Sequence, residues 1–188
     1  MLKNTKFLYA IIAVLTTVCI LMGIHIAKER SLMFEKRMHY VTTFSAQTEG
    51  VLEWINTALE SDDPKEIYSS VASAQQYLES LIDTAYVGMY HSFHYNSLLT
   101  EKTFFGGAGT FYYDLTVIND RFTIIKNSLS ENGALSEKDI EYLNYSKEAF
   151  AYLFERVETD GIINEQAIKS DTYLSNVCGN FCYMMLNK

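Results

Sequence analysis

Apolar residues follow two different patterns along this chain. Residues 7–26 form one unbroken apolar run that contains no Asp, Glu, Lys, Arg, Asn, Gln or Pro. Beyond this run, apolar residues recur at intervals of three and four, which places them on one face of a helix. A helix over residues 7–26 would be about 30 Å long, which is the thickness of the hydrocarbon core of a bilayer. The first pattern therefore predicts a transmembrane helix, and the second predicts amphipathic helices that pack together.

The apolar run is predicted to be a signal anchor that stays attached to the protein. A cleaved signal peptide has a shorter apolar segment that ends at a small-x-small site, whereas this run ends in GIHIA at residues 23–27. Thr16 and Thr17 fit the run because a threonine hydroxyl in a helix can bond to a carbonyl of the preceding turn. Membrane lipid is therefore the first predicted partner, through residues 7–26, and residues 1–6 form a short basic tail.

Two signals in the sequence oppose each other on the side of the membrane that the domain occupies. Lys3 and Lys6 precede the apolar run, and more basic residues follow it than precede it, so the positive-inside count alone would keep the domain in the cytoplasm. A signal anchor with a short basic head, by contrast, usually keeps the head inside and translocates the chain beyond the apolar run. We expect a single-pass membrane protein whose C-terminal domain is extracytoplasmic.

Five amphipathic helices are predicted after the anchor. They cover residues about 27–60, 64–99, 110–131, 137–158 and 165–186. The first of them follows the anchor without a break signal, so we expect one continuous helix. Before the second, Asp63 is placed to cap the N-terminus, Pro64 suits the first helical position, and Glu66 occupies the capping-box position.

The last two connections share one pattern, in which a glycine is followed by apolar residues and then by a capping residue. Gly133 and Gly161 are each predicted to take the left-handed conformation that ends a helix, and Ser136 and Asn164 to cap the helices that come next. Short turns between long helices favour antiparallel neighbours. The sequence therefore predicts an all-α protein whose N-terminal transmembrane helix continues into an antiparallel up-down bundle of four to five helices.

Charge is divided unevenly between the anchor and the predicted bundle domain, residues 27–188. Residues 1–30 carry a formal charge of +3, whereas residues 31–188 hold 22 acidic and 11 basic residues. An acidic domain repels phosphate backbones, so nucleic acid is not an expected partner. The partner expected besides lipid is another membrane or extracytoplasmic protein.

An aromatic and glycine-rich segment connects the second and third predicted helices. If the second helix runs unbroken, it returns the chain to the membrane, where aromatic residues are favoured at the interface. We predict a loop that contacts the membrane interface or a partner, formed by Phe104, Phe105, Gly106, Gly107, Gly109, Phe111, Tyr112 and Tyr113. The segment lacks the Gly-Lys-Ser/Thr of a phosphate-binding loop and no predicted strand precedes it, so nucleotide binding is not expected.

Two groups of residues are candidate metal ligands. His91 and His94 are three positions apart and would share a helix face, but the sequence offers no third ligand near them. Cys178, Cys182 and Met185 would also share one helix face, and soft sulfur ligands at this spacing suit Cu(I). The competing interpretation, that the two cysteines are small core residues, is favoured. We therefore predict neither a metal site nor a cofactor.

The functional hypothesis depends on what the sequence contains and on what it lacks. No nucleophile–base pair or other catalytic motif can be identified, so we do not expect an enzyme. The leading hypothesis is a membrane-anchored helical bundle that acts as an interaction, scaffold or accessory subunit of a membrane assembly. The alternative is an extracytoplasmic sensor bundle that binds a small ligand or a metal.

Overall fold

The computed structural model describes residues 2–90 and 109–186. Within these ranges the chain forms six α-helices and one short β-hairpin. The helices are α1 (Leu2–Glu60), α2 (Pro64–Tyr90), α3 (Gly109–Asn132), α4 (Glu137–Val157), α5 (Glu165–Lys169) and α6 (Asp171–Leu186). The hairpin consists of β1 (Glu158–Thr159) and β2 (Ile162–Ile163), which pair antiparallel. The predicted all-α fold, a long apolar N-terminal helix followed by a helical bundle, is confirmed.

The chain divides into two compact units, Met1–Lys36 and Arg37–Lys188. In the first unit, the side chains of residues 7–26 are all exposed. Within the described part of the chain, α1 is the one helix that is long and apolar enough to cross a membrane. Thr16 and Thr17 donate hydrogen bonds to carbonyls one turn earlier, at 2.8 and 2.9 Å, as predicted. Both hydroxyls are thus satisfied within the helix, as a bilayer interior requires.

Contacts within the second unit show the order of its helices, beginning with α1 and α2. Tyr40 on α1 donates its hydroxyl to the carbonyl oxygen of Thr84 on α2 at 2.7 Å. Further along α1, Gly50 lies directly against the ring of Tyr77. Because the residue numbers of the contacts rise on α1 and fall on α2, the two helices run antiparallel.

The α2–α3 pair is also antiparallel, and polar side chains bridge it. Gln75 donates from Nε2 to Thr123 Oγ1 at 2.8 Å and accepts from Lys126 Nζ at 2.6 Å. Towards the other end of the pair, the rings of Tyr86 and Tyr112 have centroids 5.5 Å apart. Gln75 is buried, so a shift of register would leave its amide without partners. This bridge therefore favours a single register of α2 on α3.

The centre of the bundle contains four phenylalanine rings, one each from α1, α3, α6 and α4. Phe44, Phe111, Phe181 and Phe150 follow one another at centroid distances of 6.0, 5.7 and 5.0 Å. All four are essentially inaccessible to water. We call them the phenylalanine quartet. The rings meet at tilted and edge-on angles, which suits the charge distribution of aromatic faces and edges.

The turn between α3 and α4 has the predicted form. Gly133 has a φ of 71°, and its N–H donates to the carbonyl of Leu129 at 2.9 Å. Ser136 accepts a bond from the N–H of Asp139, and the Asp139 carboxylate accepts one from the N–H of Ser136. This reciprocal capping box satisfies two N–H groups at the start of α4.

The start of α2 agrees with the prediction except at one residue. α2 begins at Pro64, and Asp63 caps it by accepting from the N–H of Lys65 at 3.0 Å. Glu66 does not close a capping box, because its carboxylate accepts from the hydroxyl of Ser61 at 2.6 Å. The N–H of Asp63 donates instead to the Ser61 oxygen at 3.1 Å. The Ser61 hydroxyl therefore connects the backbone N–H of Asp63 with the carboxylate of Glu66.

The connection after α4 is a hairpin, which the sequence did not predict. Asp160 and Gly161 at its tip have φ angles of 52° and 76°. Two successive positive φ angles are typical of the type I′ turn that closes a two-residue hairpin. Gly161 is left-handed, as predicted, but it closes this hairpin and does not end α4. Asn164 caps α5, as predicted, by accepting from the N–H of Gln166.

The single helix predicted over 165–186 is divided into α5 and α6 at Ser170. Ser170 has extended backbone angles, and its hydroxyl oxygen accepts from the N–H of Tyr173 at 3.1 Å. Serine is a favourable N-cap, so this residue carries a helix-start signal that the apolar spacing concealed. α1 begins at Leu2 and not at residue 7, so the helix includes most of the predicted basic tail. The remaining described ends agree with the predicted ones to within one residue. The predicted end of the second helix, near residue 99, lies outside the described residues.

Candidate functional site

The predicted contact loop is only partly within the structure. Four of its residues lie outside the described ranges, namely Phe104, Phe105, Gly106 and Gly107. Gly109 is the first residue of α3. Phe111 does not belong to a contact loop, because it is 1% exposed and part of the phenylalanine quartet. Tyr112 is half-buried against Tyr86, which leaves Tyr113, at 63% exposed, as the described residue that fits the prediction.

Tyr113 belongs to an apolar stripe on the outside of α3. Tyr113, Val117 and Ile124 are 63, 57 and 53% exposed and lie on the face opposite the core side chains of the helix. Asp120, also exposed, lies on the same face. We call these three apolar residues the outer face of α3. Grouped apolar side chains on an outward helix face are typical of a surface that contacts another molecule.

The three sulfur residues occupy the core face of α6. Cys178, Cys182 and Met185 are 1, 7 and 8% exposed, and both cysteines are free thiols. Burial raises the pKa of the Cys178 thiol well above its usual value, and the neighbouring Cys182 adds to this. Burial, with the carboxylate of Asp114 next to it, raises the pKa of the Cys182 thiol. Both thiols are thus held in the neutral form, which is a poor nucleophile.

The histidine pair cannot be placed, because His91 and His94 lie outside the described residues. Within residues 2–90 and 109–186, no three His, Cys, Asp or Glu side chains are grouped closely enough to hold a metal ion. The alternative interpretation of the cysteines, as small core residues, agrees with their burial beside Phe181.

A groove between α3 and α4 is a concave site in the described part of the chain, with a volume of about 650 Å³. One face of α4 provides most of its lining, α3 provides Arg121, and α6 provides Met185. The lining residues are Arg121, Lys138, Glu141, Tyr142, Asn144, Tyr145, Glu148 and Met185. The α4 members recur at intervals of three and four, so they follow one face of the helix for about three turns.

One end of this groove is ordered by an ion pair. Arg121 binds the nearly buried carboxylate of Asp139, with Nη2 and Oδ1 3.2 Å apart. Its guanidinium also lies over the ring of Tyr142, 5.5 Å from the centroid. Burial raises the pKa of the Tyr142 phenol to about 12, against the opposing effects of Ser146 and Arg121. The phenol is therefore neutral at physiological pH, and it presents a hydrogen-bonding hydroxyl and an aromatic face.

The other end of the groove is acidic and aromatic. Burial raises the pKa of the Tyr145 phenol, and the Glu148 carboxylate, which is close to it, adds to the effect. Glu148 at this end and Glu141, one turn after Lys138, are exposed, and neither forms an ion pair within the described residues. Sequence reasoning missed this groove. The spacing of the α4 residues was visible, but the same spacing is found on any solvated helix face.

Comparison with known proteins gave no match to a family model, to a curated protein or to a solved structure.

Proposed function

We propose that this chain is a single-pass membrane-anchored protein whose helical bundle acts as an interaction, scaffold or accessory subunit of a membrane assembly. The anchor is residues 7–26, with the acidic bundle on the extracytoplasmic side. Support for the anchor comes from the apolar length of α1 and the exposure of every side chain in that run.

The outer face of α3 is the observation that carries the interaction part of the proposal. Tyr113, Val117 and Ile124 expose more than half of their surfaces, although each is apolar or aromatic. Tyrosine is enriched at protein–protein interfaces because its ring buries area while its hydroxyl remains satisfied. The partner is a membrane or extracytoplasmic protein that covers this face.

The sensor alternative depends on the candidate metal ligands and on a place for a small ligand. Cys178 and Cys182 are buried neutral thiols, and His91 and His94 are not described. The groove between α3 and α4 remains as a separate place for a small ligand.

A photocrosslinking experiment in the native membrane tests the proposal. A photoreactive amino acid at Val117 is expected to give a protein adduct of discrete mass, because this side chain would lie in the interface. The matched control is the same amino acid at Glu155, which is exposed on α4. The Val117 adduct should be lost when Ile124→Ser is added. Adducts to lipid alone, or a Val117 adduct that survives Ile124→Ser, would overturn the proposal.

A further inference from the structure

The groove between α3 and α4 has the size of a small-molecule site. Its volume of about 650 Å³ falls within the range of known ligand pockets, roughly 300 to 1,000 Å³. It also has the mixed lining of such pockets. The side chain of Met185 is almost wholly buried, two phenol rings form aromatic walls, and charged groups stand at the rim.

The charged residues of the groove do not balance. Once paired groups are set aside, negative charge is in excess. The Arg121 guanidinium is neutralised by Asp139 at 3.2 Å. Within the described lining, this leaves Lys138 as the one remaining cation, against the carboxylates of Glu141 and Glu148. The surrounding domain adds to the negative potential, since acidic residues outnumber basic ones two to one in residues 31–188. A cation would therefore be attracted to this groove.

Arg121 shows how an organic cation can be held here. Its guanidinium carbon lies 5.5 Å from the centroid of the Tyr142 ring, which is a cation–π distance. Tyr145 lies three residues later on the same face of α4, beside Glu148. An aromatic ring next to a carboxylate is the combination that recognises ammonium groups in proteins. Tyr145 could therefore hold a bound cation at the acidic end in the way that Tyr142 holds the Arg121 guanidinium.

We propose that the groove between α3 and α4 binds a small organic cation, with an ammonium group seated against Tyr145 and with Glu148 as its nearest counter-ion. Glu141, one turn from Lys138, adds to the negative potential of the groove. Lys138 lies ten residues before Glu148, or about 15 Å along the helix, at the opposite end of the site. The ammonium group therefore binds away from Lys138. This site is separate from the outer face of α3 and is independent of the proposed scaffold role.

Binding is measured by calorimetry on the full chain in a maltoside detergent, which itself carries no ammonium group. The probes are choline and putrescine, a quaternary ammonium and a primary diamine, with acetate as an anionic control. Glu148→Gln and Glu141→Gln should each weaken cation binding by about two- to fivefold, the worth of one solvent-accessible charge contact. Glu155→Gln, which alters an exposed acid of α4 outside the groove, should leave it unchanged.

Three further variants test the charge of the bound group and its contact with the aromatic ring. In a buffer of low ionic strength, where charges act over about 30 Å, Lys138→Gln should strengthen binding of both amines, because it removes the one cation of the lining that has no acidic partner among the described residues. Tyr145→Phe should retain binding and Tyr145→Leu should reduce it, since the ring and not the hydroxyl contacts the ammonium group. Amines that fail to bind, acetate that binds better than amines, or equal binding by Tyr145→Phe and Tyr145→Leu would each overturn the proposal.

Discussion

The contact between Gly50 and Tyr77 shows how the absence of a single side chain allows two helices to approach. Gly50 lies inside α1, where glycine is less favourable than alanine by about 1 kcal/mol. A Cβ atom built on Gly50 would lie 2.3 Å from Cδ1 and 2.7 Å from Cγ of the Tyr77 ring. Real side chains do not approach so closely, so the ring needs the space that glycine leaves.

We expect Gly50→Ala to lower the free energy of unfolding by about 1–2 kcal/mol, although alanine favours helix. The reason is that the Tyr77 ring must leave its place between α1 and α2, and overpacking of this kind outweighs the gain in helix propensity. Chemical denaturation of the full chain in detergent, followed by circular dichroism, measures the change.

Tyr77→Ala supplies the matched background for this test. Without the ring, the same Gly50→Ala substitution should stabilise the protein by up to about 1 kcal/mol, because only the helix-propensity gain remains. If Gly50→Ala stabilises the protein while Tyr77 is present, the close contact does not limit the approach of the two helices.

At the scale of secondary structure, the spacing of apolar residues predicted helices α1 to α4 well. Their core positions recur at three and four residues over long segments, and such repetition outweighs any single unfavourable residue. The roles of Ser61 and Ser170 could not be predicted, because a serine acts as a cap only through contacts that depend on the final backbone. The hairpin could not be predicted, since strands of two residues are too short to show an alternating pattern.

The groove illustrates a different limit of sequence reasoning. The α4 residues that line it were all visible at helical spacing, but their partners Arg121 and Met185 are supplied by α3 and α6. A concave site depends on how three helices are arranged in space, and the pattern along one helix does not contain that arrangement. The burial of Cys178 and Cys182, in contrast, follows from apolar spacing along α6 alone.

Three glycines without near neighbours allow the backbone contribution to be measured separately from packing. Gly133→Ala and Gly161→Ala should each lower the free energy of unfolding by about 1 kcal/mol, because both residues have positive φ angles that disfavour a Cβ atom. Gly179→Ala should instead raise it by up to about 1 kcal/mol, since Gly179 lies within α6 and is exposed.

Denaturation midpoints of the three variants test this prediction together. Within the described part of the chain, the added Cβ at these three positions has no atom within 4 Å apart from the adjoining residues and the backbone of its own helix, so steric contacts with other elements do not contribute. If all three alanines change stability in the same direction, backbone conformation is not what distinguishes these glycines.

At the scale of the whole molecule, the side of the membrane determines which partners and ligands the bundle can meet. The location of the bundle can be tested by labelling an introduced cysteine, because the three native cysteines are not expected to react. Cys178 and Cys182 are buried and carry raised pKa values, and Cys19 lies within the proposed anchor. None of them should react readily with a membrane-impermeant maleimide in the surrounding water.

A cysteine introduced at Asn176, which is exposed on α6, should therefore report the location of the domain. We expect Asn176→Cys to be labelled by the maleimide in intact cells, with the wild-type chain as the unlabelled control. Asn4→Cys, before the anchor, should be labelled only after lysis. The opposite pair of results would place the bundle in the cytoplasm and would contradict the proposed orientation.

The phenylalanine quartet has a consequence for how this protein can change over generations. Each ring comes from a different helix, and each touches at least one ring of another helix. A smaller residue at one position leaves a void beside a ring of another helix, and a larger one displaces that ring. Accepted substitutions at residues 44, 111, 150 and 181 should therefore appear in sets. Natural variation among these four positions is expected to be correlated, while the exposed faces of the same helices vary independently.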